Sequence, residues 1–388
     1  MDIKYHYCYM LVCYDSSNEA KRALDALLET KEFRDVSEVV CMALVNYEVM
    51  HRMIGKGGAV VGDLVRKPKA DVTPSTDMGQ ATPPGPVSAE VPGTVSREGM
   101  DTFSLRVASL DGFEFLATAD SAEAGTNDAP PKEWMFGQFN RFLPAKATCR
   151  ALLNLQRENP KGILVSDASS KIAFAACRMG DYLRELDRRL GHNREVGLAA
   201  AFPSTEYHGA ESRVRFGSQF VGNLKQGQLT GLPAGMKLLG HDGAKDPRLL
   251  LTQAGGQFAL LHNPILDGGP EAVRERLSEA EVRFLVEHIR KHVPQEVSAY
   301  AAIIDGIKEK ANTPEKMDQY LCRRFQLRVV EKADRTKRDE ITKTFLSTQR
   351  TGAISRMADL NLLWREKKGL NVSYVVSHPG ECFRSEIQ

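Results

Sequence analysis

A chain of 388 residues has room for two to four compact units. Its 42% apolar and 26% charged residues are ordinary for a globular protein. A net charge of +2 excludes nucleic-acid affinity from bulk charge, so any such surface must come from local segregation of charge. The seven cysteines, at 8, 13, 41, 149, 177, 322 and 382, contain no Cys-x-x-Cys pair. That count and spacing argue for free thiols in a reducing cytosol rather than disulfides or zinc. No basic segment leads into an apolar one with a small-residue cleavage site, and no apolar run reaches membrane-spanning length. The expectation is a cytoplasmic protein with no membrane partner.

The elements begin with a strand over Tyr9-Met10-Leu11-Val12-Cys13-Tyr14, rich in aromatic and β-branched residues, which stops at the cap-forming cluster Asp15-Ser16-Ser17-Asn18. A helix follows with Ala20, Leu24, Leu27 and Leu28 on one stripe. Asp35 or Ser37 then caps a second helix, whose stripe is Val39, Val40, Ala43, Leu44, Tyr47 and Met50. This order, with "VSEVVCMALVNYEVMHR" in the second-helix position, resembles the ribbon-helix-helix family of DNA-binding proteins. The resemblance implies that residues 1–60 pair with a second copy into a ribbon that enters the major groove. A strand and two helices have too little core to stand alone, which also points to a homodimer. The positions carried over to the groove, Tyr9, Leu11 and Cys13, donate few hydrogen bonds. Residues 1–60 hold seven Lys or Arg against nine Asp or Glu, so the unit either reads DNA or only dimerises.

Residues 61–100 form the next segment. From Lys67 to Gly99 it is dense in Pro, Gly, Ser and Thr and nearly free of large apolar residues, the composition of a flexible tether. In the segment 101–205, "TFSLRVASLDGFEFLATA" predicts a strand pair turning at Asp111-Gly112, followed by a polar break over 120–133. Helices then follow over "FLPAKATCRALLNLQREN" and "KIAFAACRMGDYLRELDRRLG", which together could make a degenerate winged-helix domain. The segment 206–270 reads as helix, turn, short helix, two strands around His241-Asp242-Gly243, and a helix capped by Thr252. Its "LLLTQAGGQFALL" resembles the closing strand and helix cap of prokaryotic winged-helix domains.

In the last segment, 271–388, "PEKMDQYLCRRFQL", "RDEITKTFLS" and "QRTGAISRMADLNLL" read as three helices, and "WREKKGLNVSYVVSHPGE" as a hairpin tipped by Lys368-Gly369. The order resembles the winged helix-turn-helix family, in which the third helix lies in the major groove and the wing touches the backbone. Residues 321–350 carry nine Lys or Arg against four acids just before that helix. The resemblance implies that Gln349, Arg350, Thr351, Ser355 and Arg356 face the groove, where Arg and Gln can pair with guanine and adenine edges. It also implies that Lys337, Arg338, Lys343, Lys367 and Lys368 sit on phosphates.

The search for chemistry is negative. There is no P-loop, Gly-x-Ser-x-Gly elbow or dinucleotide fingerprint. His288 and His292 lie one turn apart but lack a third ligand, and basic residues near a helix C-terminus explain them more simply. Cys149 and Cys177 fall on apolar helical positions and read as core thiols. No catalytic residue, cofactor or metal is expected. The expected fold is mainly α with short β elements (α+β): a ribbon-helix-helix-like unit, a flexible linker and a tandem winged-helix body. The expected function is DNA binding as a dimeric transcriptional regulator whose partner is double-stranded DNA. The alternative is a non-catalytic DNA- or protein-docking subunit of a prokaryotic defence, partition or replication complex.

Overall fold

The computed structural model describes residues 100–388, apart from 118–127, 193–195, 206–208, 269–274, 335–336, 338, 370 and 388. The expected dimerisation unit and tether, residues 1–60 and 61–100, therefore lie outside the described residues but for Met100. The described part is mainly helical with short strands.

Helix α1 (Phe142–Glu158) organises the first half. Phe142, Ala145, Cys149, Leu152 and Leu153 are buried, and so are Lys146, Arg150 and Asn154. A helix sheathed on every side belongs at the centre of a core. Three of its buried polar residues recur every fourth position, and each donates to backbone carbonyls outside the helix. Lys146 donates to the carbonyls of Phe258 and Leu261, and Arg150 to those of Ala259 and Leu261. Asn154 donates to those of Thr102 and Ser104. Burial pulls the Lys146 ammonium down to about 8, although the Glu281 carboxylate 2.9 Å away opposes that fall.

Strand β1 (Ile163–Leu164) leads directly into α2 (Val165–Leu190), which stops at Gly191 in the left-handed conformation at φ 65°. Then follow α3 (Gly209–Phe216), a π turn over Gly217–Val221, the hairpin β2 (Asn223–Lys225) and β3 (Gln228–Thr230), and the short α4 (Leu232–Gly235). A second hairpin, β4 (Leu239–His241) and β5 (Arg248–Leu251), precedes α5 (Gln253–Leu260) and α6 (Pro264–Asp267). Thr252 caps α5 by accepting from the Gly255 N–H, as expected from the sequence.

The sheet runs β1-β5-β4, antiparallel throughout, with Ile163 opposite Leu249 and Gly240 opposite Leu250. The boundary expected at residue 205 thus runs through this sheet, and α1 packs on α5 across the same boundary. The correction has a simple cause. The run Leu249-Leu250-Leu251 is buried throughout and takes a strand partner on each side, one of them from before residue 205.

The strand pair expected over 102–119 also needs correction in its described part, 102–117. Among the described residues it forms only an isolated bridge from Leu116 to Thr252. The segment is laid over α1 instead, its carbonyls taken up by Asn154, Gln156 and Arg157 and its Phe113 and Phe115 packed on the core. Asp111-Gly112 does make a turn, with Gly112 at φ 80°.

The second half begins at α7 (Glu279–His292), which opens on a reciprocal cap between Ser278 and Glu281. The helices α8 (Pro294–Lys308) and α9 (Pro314–Arg324) follow. Strands β6 (Arg328–Val329) and β7 (Glu340–Ile341) pair in parallel, and α10 (Lys343–Asp359) comes next. The hairpin of β8 (Leu363–Lys368) and β9 (Asn371–Val376) leads into α11 (His378–Glu386). The two helices expected over "RDEITKTFLS" and "QRTGAISRMADLNLL" are one helix, α10. Thr342 caps it, and neither Pro nor a left-handed residue interrupts it. Gly352 is no break, because it lies where the backbone of Gly137 crosses the helix.

His288 ties the halves together. Its Nε2–H donates to the Met236 carbonyl at 2.7 Å, and its ring stacks between Phe284 and His292. Burial keeps its pKa below the ordinary histidine value of 6.5. The unfolded chain therefore takes up this proton first, and the stabilisation is complete above 6.5 and is lost as pH falls from there towards the folded value. Denaturation midpoints measured from pH 7.5 to 5.5 should fall less steeply in His288→Gln than in the parent, about one unit either side of the ordinary histidine value. Equal slopes would remove His288 as the acid-sensitive group.

Candidate nucleic-acid interface

The residues expected to face a DNA groove divide sharply between interior and surface. Gln349, Arg350, Ser355 and Arg356 are buried. Gln349 accepts from the Gly137 N–H and donates to the Pro131 carbonyl at 3.0 Å. Arg350 pairs with Asp318 at 2.6 Å and donates to the Tyr374 hydroxyl at 3.0 Å. Arg356, fully buried, grips the Glu296 carboxylate at 2.6 and 2.7 Å and donates to the Phe139 carbonyl. The groove-facing role of these four is corrected, since a buried and fully paired guanidinium offers nothing to a base edge.

The helix geometry explains the burial. Leu346, Arg350, Ala353, Ile354 and Met357 recur on one face of α10, which packs against α8 and α9. Gln349, Gly352, Arg356 and Asp359 recur on a second face. Segment 131–142 closes over that face: Gly137 and Phe139 bond to Gln349 and Arg356, and Arg141 pairs with Asp359 at 3.0 Å. A narrow strip of hydroxyls is left, comprising Thr344, Ser347, Thr348 and Thr351, with only Thr344 and Thr351 fully exposed and the buried Ser355 closing its far end.

The expected phosphate contacts fare differently. Lys343, Lys367 and Lys368 are exposed, and none is held in an ion pair among the described residues. Lys337 is also exposed but is engaged with Glu340 at 3.0 Å. Arg338 lies outside the described residues. Lys343 opens α10 at the end of the hydroxyl strip, while Lys367 and Lys368 end strand β8. Arg365 joins the two, since it stands on β8 and donates to Ser355 Oγ at the far end of the strip at 2.8 Å.

Sequence reasoning missed Trp364. Strand β8 alternates, with Leu363 buried and Trp364 48% exposed opposite Val375. The pattern Leu-Trp-Arg-Glu-Lys-Lys already marks Trp364 as outward once the strand is accepted. An indole left half in water beside lysines can stack on a sugar, a base or another apolar surface.

The two helical cysteines of the first half lie in the core. Burial pushes the Cys149 thiol up to about 12, and Cys177 is raised for the same reason, so both stay protonated at neutral pH. Among the described residues no group of three or more His, Cys, Asp or Glu side chains is placed to hold a metal ion. None of the described helices is long and apolar enough to cross a membrane. No family model matches this chain, and no curated protein or solved structure matches it.

Proposed function

We propose that this chain is a non-catalytic DNA-binding protein, a dimeric regulator whose body carries two winged-helix modules. The helices α1 to α3 with β1, the later strands β4 and β5, and the sheet order β1-β5-β4 support that reading for the first module, into which the β2–β3 hairpin and α4 are inserted. Helices α8, α9 and α10, with the short β6–β7 pair before the last, and the β8–β9 hairpin after it support it for the second. The observation that carries the proposal is the surface left open in the second module. It holds a strip of hydroxyls on α10, Lys343 at its start, in no ion pair among the described residues, and a hairpin ending in Lys367 and Lys368 that Arg365 fastens to the strip. Hydroxyls and lysines suit phosphate oxygens and carry little sequence information. With Gln349, Arg350 and Arg356 buried, affinity comes from the DNA backbone more than from base edges, and pairing through residues 1–60 would add avidity.

The test is fluorescence anisotropy of the full chain on mixed-sequence duplex across a salt series. Replacing Lys367 and Lys368 together by Ala should lower the slope of log K against log salt by about 2, close to 0.9 for each phosphate no longer neutralised. Circular dichroism should be unchanged, since both side chains are exposed. Absence of duplex binding by the parent at low salt would overturn the proposal. The docking-subunit reading would then gain ground, because half-exposed Trp364 beside Val375 is a ready anchor for a protein partner.

A further inference from the structure

The first module carries a groove that lies apart from the duplex surface of the second. It holds about 860 Å³ and lies between the start of α2, helix α3, the β2 strand and the turn at Asp246-Pro247. Its apolar wall includes Phe174 and Val214, which are 51% and 74% exposed, among the most exposed large apolar residues described. Its uncharged polar lining is Ser166, Ser169, Ser170 and Ser218, with Asn223. Arg178 lies over the Phe174 ring at 5.1 Å from its centroid. The depth of the groove depends on Gly217, where a methyl group would sit 2.5 Å from Ser169 Oγ and push the end of α3 away from α2.

Charge identifies the occupant. Arg213 and Asp246 are the charged residues of the lining itself. Leaving aside Arg184, Arg188 and Arg189 of α2, which pair with Asp181 and Glu185 on the same helix, the elements around the groove add the cations Lys171 and Arg178 on α2, Arg215 on α3 and Lys225 on β2, against the acids Asp167 and Glu211. None of these four, nor Arg213, is held in an ion pair among the described residues, whereas Arg150, Arg324, Arg350, Arg356 and Arg384 all are. A cation at an aromatic ring, a second in the groove wall and neutral hydrogen-bonding groups match the chemistry of a nucleic-acid strand. The concavity selects which kind. A double helix keeps its base faces stacked, so an aromatic wall inside a groove is of use only to unpaired bases.

We propose that this groove binds single-stranded nucleic acid, with a base stacked on Phe174, the serines and Asn223 bonding base edges, and Arg213 with its neighbours on phosphates. The site is separate from the duplex surface on the β8–β9 hairpin and stands whether or not that surface binds.

The experiment is anisotropy of the full chain on a labelled oligothymidylate of about 20 nucleotides, enough for one or more sites of this kind. Phe174→Ala should weaken binding roughly 5- to 150-fold, the range for loss of one stacked base. Phe174→Trp should keep or raise the affinity, and the ring's exposure leaves the core intact in both. Lys367→Ala with Lys368→Ala should leave oligothymidylate binding unchanged. Three results would overturn the proposal: no binding at low salt, equal affinities of the parent and Phe174→Ala, or loss of oligothymidylate binding in the hairpin variant, which would place the strand elsewhere.

Discussion

Replacing Arg356 by Leu should destabilise the chain by about 3–5 kcal/mol, because it strands the Glu296 carboxylate in the core. Both side chains are fully buried. Burial works against the charge on Arg356, yet the Glu296 carboxylate beside it holds its pKa above the ordinary arginine range. The pair also anchors segment 131–142, since the same guanidinium donates to the Phe139 carbonyl. Urea denaturation checks the magnitude, and a second variant separates pairing from packing. Arg356→Leu with Glu296→Leu removes both charges and should recover much of the loss, as buried pairs exchanged for apolar residues often do. A double variant no better than the single one would show that the bond to Phe139, not the ion pair, is what α10 needs.

Gly352→Ala should be harmful although it places a better helix former in mid-helix. The propensity gain is roughly 1 kcal/mol. Against it, the new methyl would lie 2.6 Å from the Gly137 Cα and closer still to the Gly137 carbonyl oxygen. Backbone cannot turn aside as a side-chain tip can, so overpacking should exceed the gain and reach the upper end of about 1–3 kcal/mol or more. Gly137→Ala meets the same wall from the other side, 2.5 Å from the Thr348 carbonyl carbon. Thermal melts of Gly352→Ala beside Thr351→Ala decide the matter. Thr351 is exposed, and its change should be near neutral or mildly stabilising. A Gly352→Ala protein as stable as the parent would mean that segment 131–142 does not stay against α10.

Local signals in the chain were legible where local chemistry decides the outcome. Thr252 caps α5, Gly191 ends α2, and the alternating run before Lys368-Gly369 makes the hairpin. The failures share a cause. Nothing near Arg356 in the sequence reveals that Glu296, sixty positions earlier, stands opposite it, and Gln349 meets Gly137 across 212 positions. A basic stretch reads the same whether its charges face water or carboxylates, so Gln349, Arg350 and Arg356 passed for DNA-reading residues. Segment 103–117 has the composition of a strand pair, yet Asn154, Gln156 and Arg157 satisfy its backbone in place of a neighbouring strand. The groove at Phe174 escaped notice because α2 and the turn at Asp246-Pro247 are distant in sequence.

The buried charges that join the two halves also constrain how such a chain can change over generations. Lys146 lies before residue 270 and its partner Glu281 after it, and Arg141 and Asp359 are divided in the same way. A recombination event that brought either half into a foreign protein would leave Lys146 or Glu281 alone in a dry interior, whereas Asp359 would keep Arg276, 2.8 Å away in its own half. A single-residue drift at Lys146 or Glu281 would have to be matched by its partner before the protein could again hold its shape.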